Sequence, residues 1–210
     1  MKYILSPLLF ILLSCAAHAQ KDTTILYIDS NLNIVSKPNA ACIEKVYQQG
    51  GMWHTIISYI NKPAKLVTGS YSDKRLSIPE GQFTYYKEDT VIMQGNYRNG
   101  EQDGVWRKWM TNGLITDSVV FMAGTIIAEA KYQYHTNNTI WRYSLKTAEN
   151  EKITGIYDTA GVIISKGRFK DNDGEMYTYY TNGAVKTHSV YKNNQRTIYD
   201  LYDENGEKKQ

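Results

Sequence analysis

The chain has few cysteines and no excess of either charge. Two cysteines occur in 210 residues, and a mature chain cut after Ala19 would keep Cys42 alone. An intramolecular disulfide framework is therefore excluded for that mature chain. Lysines and arginines number 24 against 21 aspartates and glutamates, and no long run of one sign occurs. This balance argues against a surface that binds nucleic acid.

The motifs of catalysis and metal binding are also lacking. His54, His135 and His188 lie far apart, and no cysteine or histidine stands at zinc-ligand spacing. The sequence holds no serine elbow, no carboxylate pair in an apolar setting and no cysteine matched to a histidine. The acidic stretch 171–175 resembles a calcium loop superficially but lacks its closing glutamate. We therefore expect no enzyme activity, no metal site and no cofactor.

An export signal is present at the N-terminus. Lys2 precedes an apolar run, Tyr3 to Leu13, and small residues follow. The small residues before Gln20 predict a signal peptide over 1–19. Alternatively, the letters LLSC resemble a bacterial lipobox, so that the signal would end before Cys15 and Cys15 would carry a lipid, the one expected membrane contact. Both alternatives predict an exported protein that is periplasmic, outer-membrane-associated or extracellular.

Hairpin signals fill the rest of the chain. The stretch Gly95 to Gly113, GNYRNGEQDGVWRKWMTNG, places the turn pairs Asn99-Gly100 and Asp103-Gly104 between aromatic-rich segments. Asn-Gly and Asp-Gly favour the positive φ angles of tight β-turns. Tyrosine occurs 18 times against 4 phenylalanines and 4 prolines, which suits half-exposed sheet faces.

The hairpin pattern recurs about every two dozen residues. In each unit an aromatic residue is followed by a small residue nine or ten positions later and by another aromatic two positions beyond. A double step between positions 119 and 167 predicts a degenerate repeat, in which Asn137-Asn138 replaces the glycine turn. The predicted structural anchors are Tyr59, Gly69, Tyr71, Phe83, Tyr86, Gly95, Tyr97, Gly104, Trp106, Trp109, Gly113, Gly167, Phe169, Tyr180, Tyr191, Tyr199 and Tyr202.

The predicted fold class is all-β. Meandering antiparallel β-hairpin repeats over 53–210 are expected to form an elongated single-layer sheet, after an N-terminal strand and arm region over 20–52. Within that arm, Pro38 to Tyr47 is compatible with a short helix or an extended segment. Aromatics three apart, such as Trp106 and Trp109, require either a β-bulge or rings on both faces, and we favour two aromatic-bearing faces.

The pattern from Gly95 through Asp103-Gly104 and Trp106 to Asn112-Gly113 resembles the MORN-variant repeat of exported bacterial proteins. Many of these carry an antitoxin label, which we do not extend to an exported chain. The opening of the chain is similar to Bacteroidetes proteins in which a TonB-type domain often follows the repeats. Because this sequence stops after the Asn205-Gly206 turn, we expect no energy-transducing role. The resemblance implies a MORN-like sheet and interaction with a protein or a surface, and it offers no catalytic residues.

The degenerate repeat is the predicted ligand-binding segment. Its aromatics depart from the repeat pattern, so we assign a site to Tyr132, Tyr134, His135 and Trp141. The expected function is a non-enzymatic scaffold that binds an unidentified protein or envelope component. Self-association through sheet edges is also expected to be open to it. The alternative is a carbohydrate- or cell-wall-binding module that uses exposed Trp and Tyr rings.

Overall fold

The computed structural model describes residues 23–31, 33–62 and 64–209. The predicted signal over 1–19, with Cys15, lies outside these ranges. One antiparallel sheet of 15 strands, paired in sequence order, confirms the all-β meander of hairpins. Within the described ranges no helix is long and apolar enough to cross a membrane. The strands are β1 (Thr24–Ile28), β2 (Cys42–Gln49), β3 (Met52–Tyr59), β4 (Lys65–Tyr71), β5 (Gly81–Lys87), β6 (Thr90–Arg98), β7 (Glu101–Trp109), β8 (Ile115–Met122), β9 (Thr125–Tyr134), β10 (Ile140–Thr147), β11 (Glu151–Tyr157), β12 (Ile163–Lys170), β13 (Asp173–Tyr179), β14 (Val185–Lys192) and β15 (Gln195–Leu201).

The N-terminal arm is part of the same sheet. A single turn of 3-10 helix over Lys37–Asn39 precedes β2, and the fixed φ of Pro38 suits that turn. From Cys42 onward the arm is extended, and β2 pairs with β1 on one side and with β3 on the other. Cys42 and Val46 are both buried and, being four residues apart on β2, lie on the same face of the sheet. Burial raises the pKa of the Cys42 thiol.

Two kinds of turn connect the strands. At one end of the strands, tight turns take positive φ at successive residues, as at Asn99 and Gly100. At the other end, the turn between β5 and β6 is also tight, but from β7 onward five-residue turns bond the first amide to the fifth carbonyl, as from Met110 N to Leu114 O at 2.8 Å. The predicted turn at Asp103-Gly104 is wrong. Gly104 lies inside β7, where its positive φ serves a register shift between β6 and β7 instead of a chain reversal.

A β-bulge lies near the start of every second strand from β4 to β14 and so recurs once per repeat. The register slips by one residue near the start of β4, β6, β8, β10, β12 and β14. Three positions after each extra residue comes the small residue of the repeat. The extra residues are Leu66, Ile92, Thr116, Trp141, Ile164 and Lys186, and the small residues that follow are Gly69, Gly95, Val119, Ser144, Gly167 and Ser189.

The degenerate segment therefore keeps the backbone of the repeat. Asn138 takes φ 66°, and its amide bonds to His135 O at 3.0 Å, as the Gly113 amide bonds to Met110 O at 2.9 Å. Asparagine tolerates this left-handed conformation better than most residues, which explains how it replaces the glycine.

A row of aromatic rings forms the core of β4 to β8. Tyr71, Phe83, Tyr97, Trp106 and Phe121 follow one another with centroids 5.4, 4.8, 5.1 and 6.4 Å apart, all in edge-to-face contact. Phe83 and Trp106 are only 4% exposed. We call these five residues the ring row. Because the fold has one layer, the rings pack along the sheet and not against a second sheet.

Glycines make room for the ring row. A Cβ on Gly69 would lie 2.3 Å from the Phe83 ring, and one on Gly95 would lie 2.1 Å from the Trp106 ring. The Trp106 indole also donates a hydrogen bond to Asn96 O at 3.0 Å. The small residue of the repeat is thus required by ring packing at these two positions.

Aromatics three residues apart lie on opposite faces of the sheet. Phe83 is in the ring row, whereas the Tyr86 hydroxyl lies 3.4 Å from the hydroxyl of Thr68. Thr68 pairs with Thr84, the neighbour of Phe83, so Tyr86 and Phe83 face in opposite directions. The nearby bulge does not re-phase the strand that carries the rings, because its extra residue, Ile92, belongs to the partner strand.

Candidate functional site

Two of the four predicted site residues tie neighbouring turns together. His135 Nε2 lies 2.9 Å from Tyr157 O. The Tyr180 hydroxyl, at the same place in a later turn, donates to Tyr202 O at 2.9 Å. The Tyr134 hydroxyl likewise donates to Ile115 O at 2.8 Å, toward the preceding turn. These hydrogen bonds show that His135 and Tyr134 link adjacent repeats of the array.

The other two predicted site residues lie at repeat positions as well. Tyr132 packs on Tyr143 across the strand pair, with centroids 5.3 Å apart. Trp141 is the extra residue of its bulge and remains 42% exposed. The structure places these four residues along β9, its turn and β10, and none of them lines the groove described next. Ligand binding by this segment stays a prediction.

A groove lined by charged and aromatic side chains lies across β11 to β14. Its volume is about 690 Å³, and most of its charged side chains come from alternate positions of β12 and β13. Both lysines and carboxylates contribute, together with tyrosine rings. We call its two central columns the charged face: Lys166, Arg168 and Lys170 from β12, and Asp173, Glu175 and Tyr177 from β13.

The sequence places these side chains on one face because of strand periodicity. Residues two apart on a strand point the same way, so each triplet forms a column. The antiparallel register then sets Lys166 opposite Tyr177, Arg168 opposite Glu175 and Lys170 opposite Asp173. Directly opposed residues of unlike charge attract each other modestly. A basic column therefore runs beside an acidic one.

The carboxylates near the charged face are paired. Arg168 Nε contacts Glu151 Oε1 at 2.5 Å, and Lys192 Nζ contacts Asp173 Oδ2 at 2.8 Å. The Arg168 and Lys192 side chains remain 70% and 61% exposed, so solvent screens both pairs and they add little to the stability of the fold. The hydrogen bond from Lys192 lowers the pKa of Asp173.

Glu175 and Tyr177 form the closest polar contact of the charged face. The Tyr177 hydroxyl donates to Glu175 Oε2 at 2.6 Å. This bond raises the pKa of Tyr177 to about 12, because ionising the phenol beside a carboxylate is unfavourable. The same bond, helped by His188, lowers the pKa of Glu175.

His188 supports Tyr177 from the next strand. Its ring stacks on the Tyr177 ring with centroids 4.5 Å apart and 9° between the planes. Its Nε2 lies 3.3 Å from Glu175 Oε2, and its Nδ1 lies 4.0 Å from Asp200 Oδ2. The stack gives the charged face a rigid aromatic end. In the part of the chain that the structure describes, no three histidines, cysteines or carboxylates are grouped to hold a metal ion.

Two lysines of the charged face have no close ion-pair partner within the described ranges. Lys166 makes no ion pair within the described ranges, and Lys170 comes only within 4.0 Å of the highly exposed Glu149. The groove as a whole is lined by four cationic side chains and three carboxylates. The lining therefore carries one more positive charge than negative charges, and Lys166 and Lys170 are the two cations that no carboxylate of the groove contacts in the described ranges.

The basic column is a departure from the repeat. Three positions of each repeat can be compared: the residue before the small residue, the residue after it and the residue three after it. All three are basic only in β12. The corresponding residues are Thr68, Ser70 and Ser72; Gln94, Asn96 and Arg98; Ser118, Val120 and Met122; Tyr143, Leu145 and Thr147; and His188, Val190 and Lys192. The fold therefore does not require a basic triplet at this place.

Reasoning from the sequence missed the charged face because it weighed aromatic departures from the repeat and not charged ones. The signal was present in the alternation of Lys166, Arg168 and Lys170 and in that of Asp173 and Glu175. Comparison with models of known protein families finds no match, and comparison with curated proteins finds none either.

Proposed function

We propose that the chain is an exported, non-enzymatic scaffold that binds a protein partner across the charged face. One observation carries the proposal: β12 keeps the backbone of the repeat but replaces its usual side chains with a basic triplet. Side chains that the fold does not need, placed together on an exposed surface, are typical of binding surfaces.

The chemistry of the charged face supports binding. Its pairs hold Arg168 and Glu175 in defined positions while their side chains remain largely exposed. The stacked Tyr177 and His188 rings add a rigid apolar surface beside the charges. Arginine and tyrosine are the residues most enriched in protein interfaces. A partner would therefore find anchors that are already ordered.

The resemblance to MORN-variant repeats and the N-terminal signal complete the proposal. Both favour a protein that acts outside the cytoplasm. We expect intact-mass measurement of the protein purified from the envelope to show cleavage after Ala19, giving an unmodified mature chain. A mass matching a lipidated Cys15 would replace this with membrane anchoring, and an uncleaved chain would contradict export.

A capture experiment from envelope fractions tests the proposal. The wild type is compared with Arg168→Ala/Tyr177→Ala, which removes the centre of the charged face. The control is Lys146→Ala/Lys152→Ala, since Lys152 pairs with Phe169 and so lies on the opposite face. We expect defined partners that the wild type and the control retain and the face variant loses. Equal recovery by all three proteins would contradict the proposal.

The carbohydrate-binding alternative depends on exposed rings. Trp141 is its best candidate, because the indole is 42% exposed whereas Trp106 is buried in the ring row. Quenching of tryptophan fluorescence by soluble glycans, lost in Trp141→Phe, would favour this alternative. An unchanged emission spectrum with glycans in excess would count against it.

A further inference from the structure

We propose that the segment recognised by the charged face is an extended acidic peptide with carboxylates at alternate positions. This inference rests on the proposed function and specifies its partner. It joins three observations: the surplus charge of the groove, the spacing of the basic column and the restriction of that column to one strand.

The charge of the groove favours an anion. Glu151 is held by Arg168, Asp173 by Lys192, and Glu175 by Tyr177. A cationic ligand would compete with Arg168 for Glu151 and with Lys192 for Asp173. An anionic ligand can pair with Lys166 and Lys170 without displacing any of them. Complementary charge also speeds encounter and discriminates against partners of the wrong sign.

The spacing of the column favours a polypeptide. Lys166, Arg168 and Lys170 lie on one strand at steps of two residues, so neighbouring side chains are about 6.7 Å apart. An extended peptide presents its own alternate side chains at the same interval. An Asp-x-Asp-x-Asp segment laid along β12 therefore places its outer carboxylates over Lys166 and Lys170 and its central one beside Arg168, whereas consecutive aspartates point to opposite sides.

The acidic column sets the position of such a peptide. Asp173 and Glu175 border the basic column along one side, and a carboxylate placed over them would be repelled. On the other side, β11 sets Gly155 opposite Lys166 and Ile153 opposite Arg168. Its one carboxylate in the groove, Glu151, is held by Arg168. The peptide is thus confined over β12 and the β11 side of the groove, with the Tyr177 ring opposite Lys166 at one end.

Fluorescence anisotropy with defined peptides tests this. The probe is a labelled peptide carrying three aspartates at alternate positions separated by threonine. A second peptide of equal composition has the three aspartates in succession. We expect the alternating peptide to bind more tightly at low salt, and we expect binding to weaken as salt is raised. Alginate, an acidic polysaccharide, is tested in parallel with the peptides.

Paired variants locate the binding site. Lys166→Gln/Lys170→Gln should weaken the alternating peptide roughly fivefold, because two exposed ion pairs are lost. Lys146→Gln/Lys152→Gln removes the same number of charges from the opposite face and should change affinity less than about twofold. Circular dichroism of each variant should match the wild type, since these side chains are exposed.

Several outcomes would overturn the inference. Equal binding of the two peptides would remove the spacing argument, and equal weakening by both variant pairs would place the peptide elsewhere. Tighter binding of alginate than of the peptide would assign the column to a polysaccharide. If no acidic peptide binds while envelope partners still depend on Arg168 and Tyr177, the scaffold function stands and this inference falls.

Discussion

The ring row and the charged face occupy the same repeat framework and fill it in different ways. In β4 to β8 the small residues Gly69 and Gly95 lie beneath large rings, and the rings contact one another in sequence. In β12 and β13 charged pairs that are mostly exposed lie on the other face of the sheet, opposite the face that carries Gly167 and Phe169. Turns, bulges and register are alike in both regions.

This difference separates the backbone features that maintain the array from the side chains that vary on its faces. Backbone features recur at every repeat, including the degenerate one, where Asn138 and Trp141 occupy the turn and bulge positions. Side chains on the faces are under weaker constraint, because a single layer leaves them half-exposed. A repeat array can thus concentrate its stability in one region and carry a binding surface in another.

The largest expected effect is the loss of a ring from the ring row. Trp106→Ala removes a buried indole that contacts the rings of Tyr85, Tyr97 and Phe121. We expect a loss of about 3–5 kcal/mol in the free energy of unfolding, measured by urea denaturation followed by circular dichroism. Arg168→Ala on the charged face should cost no more than about 1 kcal/mol. Similar losses for the two variants would contradict the comparison.

A smaller effect is expected at the glycines. A methyl group on Gly95 would meet the Trp106 ring at 2.1 Å, whereas one on Gly167 would meet the Phe169 ring at 3.0 Å. Gly95→Ala should therefore destabilise by about 1–3 kcal/mol, and Gly167→Ala should destabilise less. Matched urea denaturation curves measure both. The reverse order would show that the ring row tolerates displacement.

The segment between the two regions gives a third test. Asn138 has φ 66°, and Gly113 has φ 86° at the same place in its turn. Alanine at either position should cost about 1 kcal/mol, because L-residues avoid the left-handed region. Asn138→Gly should be neutral or stabilising. A large loss in Asn138→Gly, seen as a lowered thermal midpoint, would show that the asparagine side chain has a further role.

The smallest effect concerns pH and should be confined to the charged face. The Tyr177 hydrogen bond lowers the folded-state pKa of Glu175 from its ordinary value of 4.5. The stabilisation that this hydrogen bond gives the folded state is thus fully present above pH 4.5 and is lost as the pH falls through the lowered pKa of Glu175. In Tyr177→Phe, a carbon-detected NMR titration of Glu175 should show the pKa moving back up. An unchanged titration would mean that the hydroxyl does not stabilise the carboxylate.

Part of the fold could be predicted because turn chemistry is local. Asn99-Gly100 and Asn112-Gly113 favour reversals wherever they occur, and repeated reversals imply a meander. The failure at Asp103-Gly104 has a physical cause: a positive φ serves a bulge as well as a turn, and only the pairing of β6 with β7 decides between them. Trp141 departs from the aromatic spacing of the repeat because it is the extra residue of a bulge, and such positions carry no fixed residue type. That role, too, is set by strand pairing.

The sequence alone determined the all-β class, the antiparallel meander and the recurrence of its hairpins, because aromatic spacing and glycine turns act over a few residues. The tertiary structure decided which aromatics pack together and which charges meet. Those contacts depend on the register between strands, and the register is reset by a one-residue bulge in every repeat. The charged face exists because this register sets the basic triplet of β12 directly opposite the acidic column of β13.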